Sequence, residues 1–269
     1  MTTHADEIQA GARFAFGSNW AKYHSLLDEQ RILGAEASLK EMLRLEDLRG
    51  KTFLDVGSGS GLFSLAARRL GATVHSFDYD PESVACTQEL KRRYFSDDAH
   101  WIVEAGSVLD TTYLGQLPKF DIVYSWGVLH HTGSMWEALG NIAPLVAEGG
   151  KLSIAIYNDE GIFSRYWLVV KHAYVKFPWL RWPLIALHAI YPYIPSRIYR
   201  ALTGRLKRER GMSAWYDLID WVGGYPFEVA SSKELLEFYR SKGFQLDYLQ
   251  TTNRSGCNEL VFKKKSCVE

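Results

Sequence analysis

The segment Phe53-Leu54-Asp55-Val56-Gly57-Ser58-Gly59-Ser60-Gly61-Leu62-Phe63 is the chemical centre of the sequence. Its glycines allow a tight turn and let a ligand lie against the backbone, facing the N–H groups that open a following helix. The spacing narrows the ligand. A dinucleotide fingerprint has glycines at positions one, three and six, whereas here Leu62 holds the sixth place and Gly61 the fifth. No Gly-Lys-Ser/Thr follows, which excludes a triphosphate-binding loop. A second cluster, His130-His131, follows the apolar run Phe120–Ser125. Histidine titrates near neutrality and is the usual general base. His131 is the first candidate and His130 the second, because His131 lies farther from the strand. Asp159, in Tyr157-Asn158-Asp159-Glu160, is a further candidate base, with capping of its own loop as the alternative.

These residues need elements that bring them to one edge. Thr52–Val56, Thr73–Phe77, His100–Val103, Phe120–Ser125 and Lys151–Tyr157 read as strands. Helices fall between them over Gly61–Leu70, Pro81–Phe95 and Ser134–Val146. Pro81 suits a first helical turn, where its missing N–H is not needed. Such alternation predicts an α/β fold with a doubly wound, mostly parallel sheet. Upstream, Leu26, Leu27, Leu33, Leu39, Met42 and Leu43 predict one helix from Asn19 to Arg44. Downstream, Ser232–Lys242 predicts a helix stopped by Gly243. Phe244–Leu249 and Cys257–Phe262 then predict a terminal antiparallel hairpin.

Ordered features over about Thr52–Tyr157 resemble the class I S-adenosylmethionine (SAM) methyltransferases. The first is the acid-x-Gly-x-Gly-x-Gly loop of Asp55, Gly57, Ser58, Gly59 and Gly61. The second is Asp78-Tyr79 at the end of the second strand, and the third is Ser107-Val108 after the next. The fourth is the run Phe120–His131, and the glycine turn Glu148-Gly149-Gly150 closes the set. The resemblance implies a Rossmann-like seven-stranded sheet with an inserted helical cap, and SAM as cofactor. It implies that Asp78 accepts from both ribose hydroxyls and that Tyr79 covers an adenine face. Where many members carry an aspartate bonding adenine, this chain has Ser107, leaving its hydroxyl or the Val108 backbone. Main-chain groups near Ser125 and Trp126 would pass under the methionine part. Trp20 and Tyr23 are lid candidates, with core packing as the alternative. The motif style is nearest the branch that includes ubiquinone-type O-methyltransferases. The Asn/Asp-Pro-Pro-aromatic run of adenine-type N-methyltransferases is absent at Ser125-Trp126-Gly127-Val128. That favours a small-molecule hydroxyl acceptor, a phenol, quinol or sugar, over RNA modification. A non-catalytic SAM-binding or membrane-associated protein is the reading from another class.

Charge balances, with 31 Lys+Arg against 31 Asp+Glu, which excludes a uniformly basic nucleic-acid binder. The balance is uneven. Residues 161–210 carry Arg165, Lys171, Lys176, Arg181, Arg197, Arg200, Arg205, Lys207, Arg208 and Arg210 against Glu209 alone, interleaved with Trp and Tyr. This composition fits helices over a substrate pocket, a peripheral membrane or amphipathic-substrate surface, or an RNA surface. No recognised RNA-binding signature accompanies it, so nucleic acid is disfavoured as a partner. Trp215, Asp217, Trp221, Tyr225 and Glu228 are candidates to line an acceptor pocket, or else to pack a connecting cap. The expected division is a lid at 1–50, the SAM-binding core at 51–158, the acceptor cap at 159–230 and a completing helix and hairpin at 231–269. Cys86, Cys257 and Cys267 have no metal-type spacing and are odd in number. They predict neither a zinc site nor a disulfide framework and point to a reducing cytoplasm. The first residues lack the pattern of a signal peptide. Phe177–Pro195, broken by Arg181, His188 and prolines, falls short of a spanning helix.

Overall fold

Side chains alternate across a strand, and in Thr52–Val56 both sides are apolar. Phe53 packs with one buried cluster, and Leu54 and Val56 with another. A strand buried on both faces must lie inside a sheet covered by helices on each side. The computed structural model, which describes residues 3–23, 27–189, 214–252 and 256–265, has that arrangement. Its strands are β1 (Thr52–Val56), β2 (Thr73–Asp78), β3 (Trp101–Ala105), β4 (Phe120–Trp126), β5 (Val146–Tyr157), β6 (Phe244–Gln250) and β7 (Cys257–Lys264). The order is β3-β2-β1-β4-β5-β7-β6. Pairs among β1 to β5 are parallel, and β7 runs antiparallel to both β5 and β6. This is the expected Rossmann-like sheet of seven strands with its terminal hairpin.

The helices are α1 (His4–Gln9), α2 (Phe16–Tyr23), α3 (Glu29–Leu43), α4 (Leu62–Arg69), α5 (Pro81–Tyr94), α6 (Thr111–Leu114), α7 (Met135–Ile142), α8 (Ile162–Lys176), α9 (Arg181–His188), α10 (Ala214–Gly223) and α11 (Ser232–Ser241). One face of the sheet is covered by α3, α4 and α5, through Ile32, Leu39, Leu65 and Leu90. The other is covered by α7 and α11, through Leu139, Leu235 and Tyr239. Each such buried side chain contributes roughly 1.5–3 kcal/mol. A third cluster, Phe14, Val170, Tyr174, Val175, Ile185, Leu218 and Val222, joins α8, α9 and α10 into a helical cap.

Two expected elements differ. The single helix over Asn19–Arg44 is two helices, because the Asp28 side chain accepts from the Arg31 N–H at 2.9 Å and caps a fresh start. The helix expected to reach Val146 ends at Ile142, and β5 begins at Val146 rather than Lys151. There Val146 pairs with Phe120, and a register shift in the β4–β5 ladder takes up the glycines. The residues Arg197, Arg200, Arg205, Lys207, Arg208 and Arg210 lie outside the described residues, as do the side chains of Tyr23, Trp215 and Asp217. No helix among the described residues is long and apolar enough to cross a membrane.

Candidate functional site

The turn after β1 begins at Gly57, whose φ is +79°. A Cβ there would lie 2.3 Å from Val128 Cγ1, so the turns after β1 and β4 touch where only glycine fits. The Gly57 and Ser58 N–H groups both donate to the Phe77 carbonyl, at 2.9 and 3.1 Å, tying the turn to β2. Gly61 opens α4 with φ +78°. Asp78, half-buried at the end of β2, accepts from the Gly59 N–H through Oδ2 and the Asp80 N–H through Oδ1, each at 2.9 Å. Burial pushes its carboxyl up to about 6. The N-terminal segment covers the same edge. A Cβ on Gly59 would come within 3.3 Å of Trp20 Nε1, so the indole lies over the glycine loop. Tyr79 donates its hydroxyl to Glu7 at 3.3 Å, and its ring meets the Arg13 guanidinium at 5.2 Å. The Gly17 N–H donates to Asp80 Oδ2 at 2.8 Å.

Several residues expected at the cofactor surface have other work. Asp55 is turned toward α4 by the strand period and buried, and its Oδ2 accepts from Ser64 Oγ at 2.5 Å. Ser64 and Ser76 hydroxyls are 2.8 Å apart, and Trp101 Nε1 donates to Ser76 at 3.0 Å. Burial pushes Asp55 up to about 7. Asp55 thus fastens strand to helix beneath the glycine turn. Ser125 is fully buried and donates to the Val56 carbonyl at 2.9 Å, a staple between β4 and β1. Trp126 packs half-buried against the α3–α5 cluster. Ser107 Oγ accepts from its own loop at Leu109, 3.2 Å, and the Val108 carbonyl accepts from Asn141 Nδ2 at 3.0 Å.

The other half of the edge is made by the ends of β4 and β5. His130 is fully buried, its Nδ1 accepts from the Tyr157 N–H at 3.3 Å, and its ring stacks on Tyr157 with centroids 3.9 Å apart. With Nδ1 an acceptor, Nε2 carries the hydrogen, and it has no hydrogen-bond partner among the described residues. His131 Nδ1 donates to the Pro226 carbonyl at 2.7 Å. Burial first, then His131 and Lys171, holds His130 well below the usual histidine range, and burial with Lys171 holds His131 down to about 3. Both rings are therefore neutral at neutral pH. Asp159 is exposed, and its Oδ1 accepts from the Gly161 N–H at 2.8 Å, so it caps its loop. Glu228 accepts from the Met135 N–H with both oxygens, at 3.1 and 2.9 Å, and so caps α7 instead of lining a pocket.

The residue that spacing did not single out is Lys171 on α8. It is fully buried, and its Nζ donates to the Trp221 carbonyl. The rings of Trp221, Phe227, Tyr157 and Trp167 surround Nζ at 4.8, 4.9, 5.9 and 6.0 Å. No carboxylate pairs with it among the described residues. Burial pushes the amine down to about 7, against the opposing charge of Asp220.

Residues 27–205, well over half of the chain, match the family described as a methyltransferase domain. The chain belongs to that family. This methyltransferase is 36% identical to a tRNA U34 carboxymethyltransferase of Klebsiella pneumoniae over 121 residues, 44% of this chain and 34% of that protein. It is 33% identical to the ribosomal protein L11 methyltransferase of Helicobacter hepaticus over 119 residues, 44% of this chain and 32% of the other. It thus spans about a third of the length of the curated relatives it matches. A magnesium protoporphyrin IX methyltransferase from Synechocystis PCC 6803, solved with bound SAH, superposes with a TM-score of 0.54 at 12% identity, covering 92% of this chain and 94% of that one. An O-methyltransferase family protein from Burkholderia thailandensis gives 0.56 at 14% identity, covering 99% and 64%. At these identities the likeness is one of fold, the fold in which SAM-dependent methyltransferases bind their cofactor.

In the methyltransferase, Gly57, Ser58, Gly59, Asp78, Tyr79 and Trp20 come together on one edge. His130, His131, Tyr157, Trp221 and Phe227 come together on the adjoining one. Tyr225 sits farther out, against His172 at 5.3 Å. Because Glu228 supplies the acceptor for the first N–H of α7, Glu228→Ala is expected to lower the unfolding free energy by about 1 kcal/mol. Urea unfolding measures it, and an unchanged midpoint would remove the cap.

Proposed function

We propose that the methyltransferase transfers the methyl group of SAM to an oxygen of a small acceptor, a phenol, quinol or sugar hydroxyl, held beneath the helical cap. The observation that carries this reading is the contact of Gly57 with Val128, which joins the two edges. The turn that follows Val128 bears His130 and His131, whose rings meet Tyr157 at 3.9 and 5.5 Å. A donor wall and an aromatic acceptor wall therefore share a border. Gly57, Ser58 and Gly59 with Asp78 offer a fitting cradle for the cofactor: a turn whose glycines let a ligand lie close, and a carboxylate at its rim. When bound there, SAM supplies an electrophilic methyl group on a sulfonium. The protein's part is to align the acceptor and keep water out. His131, fixed by Pro226, keeps Nε2 unprotonated as a hydrogen-bond acceptor that orients a hydroxyl. Quinol within this class rests on motif style.

The cap has a second property that bears on the acceptor. Ile162, Phe163, Val169, Trp179, Trp182 and Leu187 are exposed, with Trp179 at 74% and Trp182 at 71%. Residues 161–188 contain no acid but include Arg165, Lys176 and Arg181. Exposed tryptophans beside unopposed cations suit an anionic lipid surface, to which each cation contributes about 1 kcal/mol. This supports an amphipathic acceptor met at a membrane. Vesicles of phosphatidylcholine and phosphatidylglycerol are expected to sediment the protein, and the double variant Trp179→Ser, Trp182→Ser to release it. Equal sedimentation of both proteins would sink the surface.

The acceptor class is tested by supplying methyl-labelled SAM with host extract and identifying the labelled product by mass. Label is expected in a small organic molecule as a methyl ether. Label in tRNA, with binding that falls steeply with salt, would replace this reading with the RNA one.

A further inference from the structure

Strands β2 and β4 are not neighbours, because β1 lies between them, so they run about 10 Å apart in the sheet. Side chains of the N-terminal segment bridge that gap. The Arg13 guanidinium, its side chain 15% exposed, donates through Nη1 to the His131 carbonyl, 118 residues away, at 2.8 Å. Its Nε donates to Glu7 Oε2 at 2.5 Å, and Glu7 Oε1 accepts from the Tyr79 hydroxyl at 3.3 Å. One carboxylate thereby holds both a ring just past the end of β2 and a guanidinium seated on the turn after β4. An exposed ion pair contributes little on its own. What sets this one apart is the use of arginine's planar fork, whose further N–H points away from the acid and onto main chain. The turn it grips is the one that bears His131, whose ring is held in turn by the Pro226 carbonyl at 2.7 Å and the Phe16 ring at 4.8 Å. The same segment is anchored at the cofactor edge by the Gly17 N–H on Asp80.

We propose that Arg13, braced by Glu7, is a positioning residue of the transfer, which holds the His131 turn in register with the cofactor edge, so that a cofactor settled against Asp78 and Tyr79 orders the acceptor side. The inference rests on the function proposed above and deepens it by naming the residues that set its two walls at one spacing. In-line displacement tolerates little error, and a misplacement of about 1 Å can cost a hundredfold in rate. Arg13 itself touches neither reactant and acts through His131, whose Nε2 orients the hydroxyl in that reading. The two edges also meet directly, where Gly57 packs on Val128. That contact fixes the turn at its first residue, whereas Arg13 holds it at His131 and, at 3.5 Å, at the Thr132 carbonyl. A ligand that stills the Tyr79 ring stills Glu7 and Arg13 with it. The ordering then reaches His131 through bonds already made, with no new contact at the turn.

Hydrogen exchange of the full chain, read by mass spectrometry with and without saturating SAH, tests the link, with calorimetry setting the SAH concentration for each protein. In the wild type SAH is expected to slow exchange both over 53–63, the glycine loop, and over 129–135, the His131 turn. In Arg13→Gln the first slowing is expected to remain and the second to shrink by at least about threefold. Glu7→Gln, which leaves the guanidinium but removes its brace, is expected to do the same, and the double variant to do no more than either. In methyl transfer from labelled SAM to the host-extract product, Arg13→Gln should lower the rate at saturating SAM by about tenfold and leave the KM for SAM within about threefold. A residue serving stability alone would lower Tm and leave both readouts of the folded protein at wild-type values, which overturns the proposal. Slowing over 129–135 that persists undiminished in Arg13→Gln routes the link through Gly57 and Val128, and overturns it as well. If Arg13→Gln does not fold, Glu7→Gln decides by the same readouts. SAH that binds the wild type without slowing 129–135 overturns this inference alone, whereas SAH that does not bind overturns the cofactor assignment and this inference with it.

Discussion

Asp78→Ala is expected to weaken SAM binding by about 2–4 kcal/mol, the cost of removing a charged hydrogen-bond partner from a half-buried position. The carboxylate serves two masters. Its oxygens hold the Gly59 and Asp80 N–H groups, and so fix the glycine turn against β2. In the proposed cofactor site the same carboxylate would accept from a ribose diol. Alanine removes both services. Asp78→Asn keeps the shape and one acceptor oxygen, so its loss should be smaller, and the comparison divides charge from scaffold. The carboxyl is pushed up to about 6, so wild-type affinity should decline as the pH falls through that value. The Asn variant should show no such decline. Calorimetric affinity equal to wild type in Asp78→Ala would remove the cofactor from this edge.

The second large effect concerns folding. Lys171 releases its proton at about 7 in the folded chain, against 10.5 for a free lysine. Between these values the unfolded chain holds a proton that the folded chain lacks, so stability rises with pH. Below pH 7 both states carry the proton and the burial penalty is felt in full. The total offset is about 4–5 kcal/mol, of which about 2 kcal/mol should appear between pH 7 and 9. Other groups act in neighbouring ranges. The Cys86 thiol, pushed up to about 11 by burial, subtracts stability above pH 9. Asp55, raised from 3.8 to about 7, lowers stability as the pH rises between those values, and its penalty is full above pH 7. The quantity to measure is therefore the difference between wild type and Lys171→Met in urea unfolding across pH 7–9, where these contributions cancel. Parallel curves would show that Lys171 keeps its charge when buried.

The sheet was legible because its strands are short, apolar and separated by glycines and helix caps, which are local signals. The break between α2 and α3 was less visible, since Leu26, Leu27 and Leu33 keep a helical period across a cap set by Asp28. The glycine loop and Asp78 were legible through spacing, yet spacing could not tell which polar atoms face a ligand. Asp55, Ser125 and Glu228 were read toward the site, and each is spent on a neighbouring helix or strand. Lys171 shows the opposite failure. Counted among ten cations, it looked like solvated charge, and its burial depends on Trp221, fifty residues away. One sequence signal did exist: Trp167, Val170, Lys171 and Tyr174 fall at helical spacing, placing the lysine on the buried stripe of α8.

The strand order carries a consequence for synthesis. Strand β5 is buried along Leu152–Ile156, and its outer neighbour is β7. The whole stretch from Asn158 to Gly256 must therefore emerge from the ribosome before that edge is paired. A long excursion adds little to the entropy of closing the sheet, but it leaves an apolar edge open for as long as translation takes to cross it. Nascent chains halted within the cap should be captured by chaperones and aggregate, and those extended past Lys264 should not.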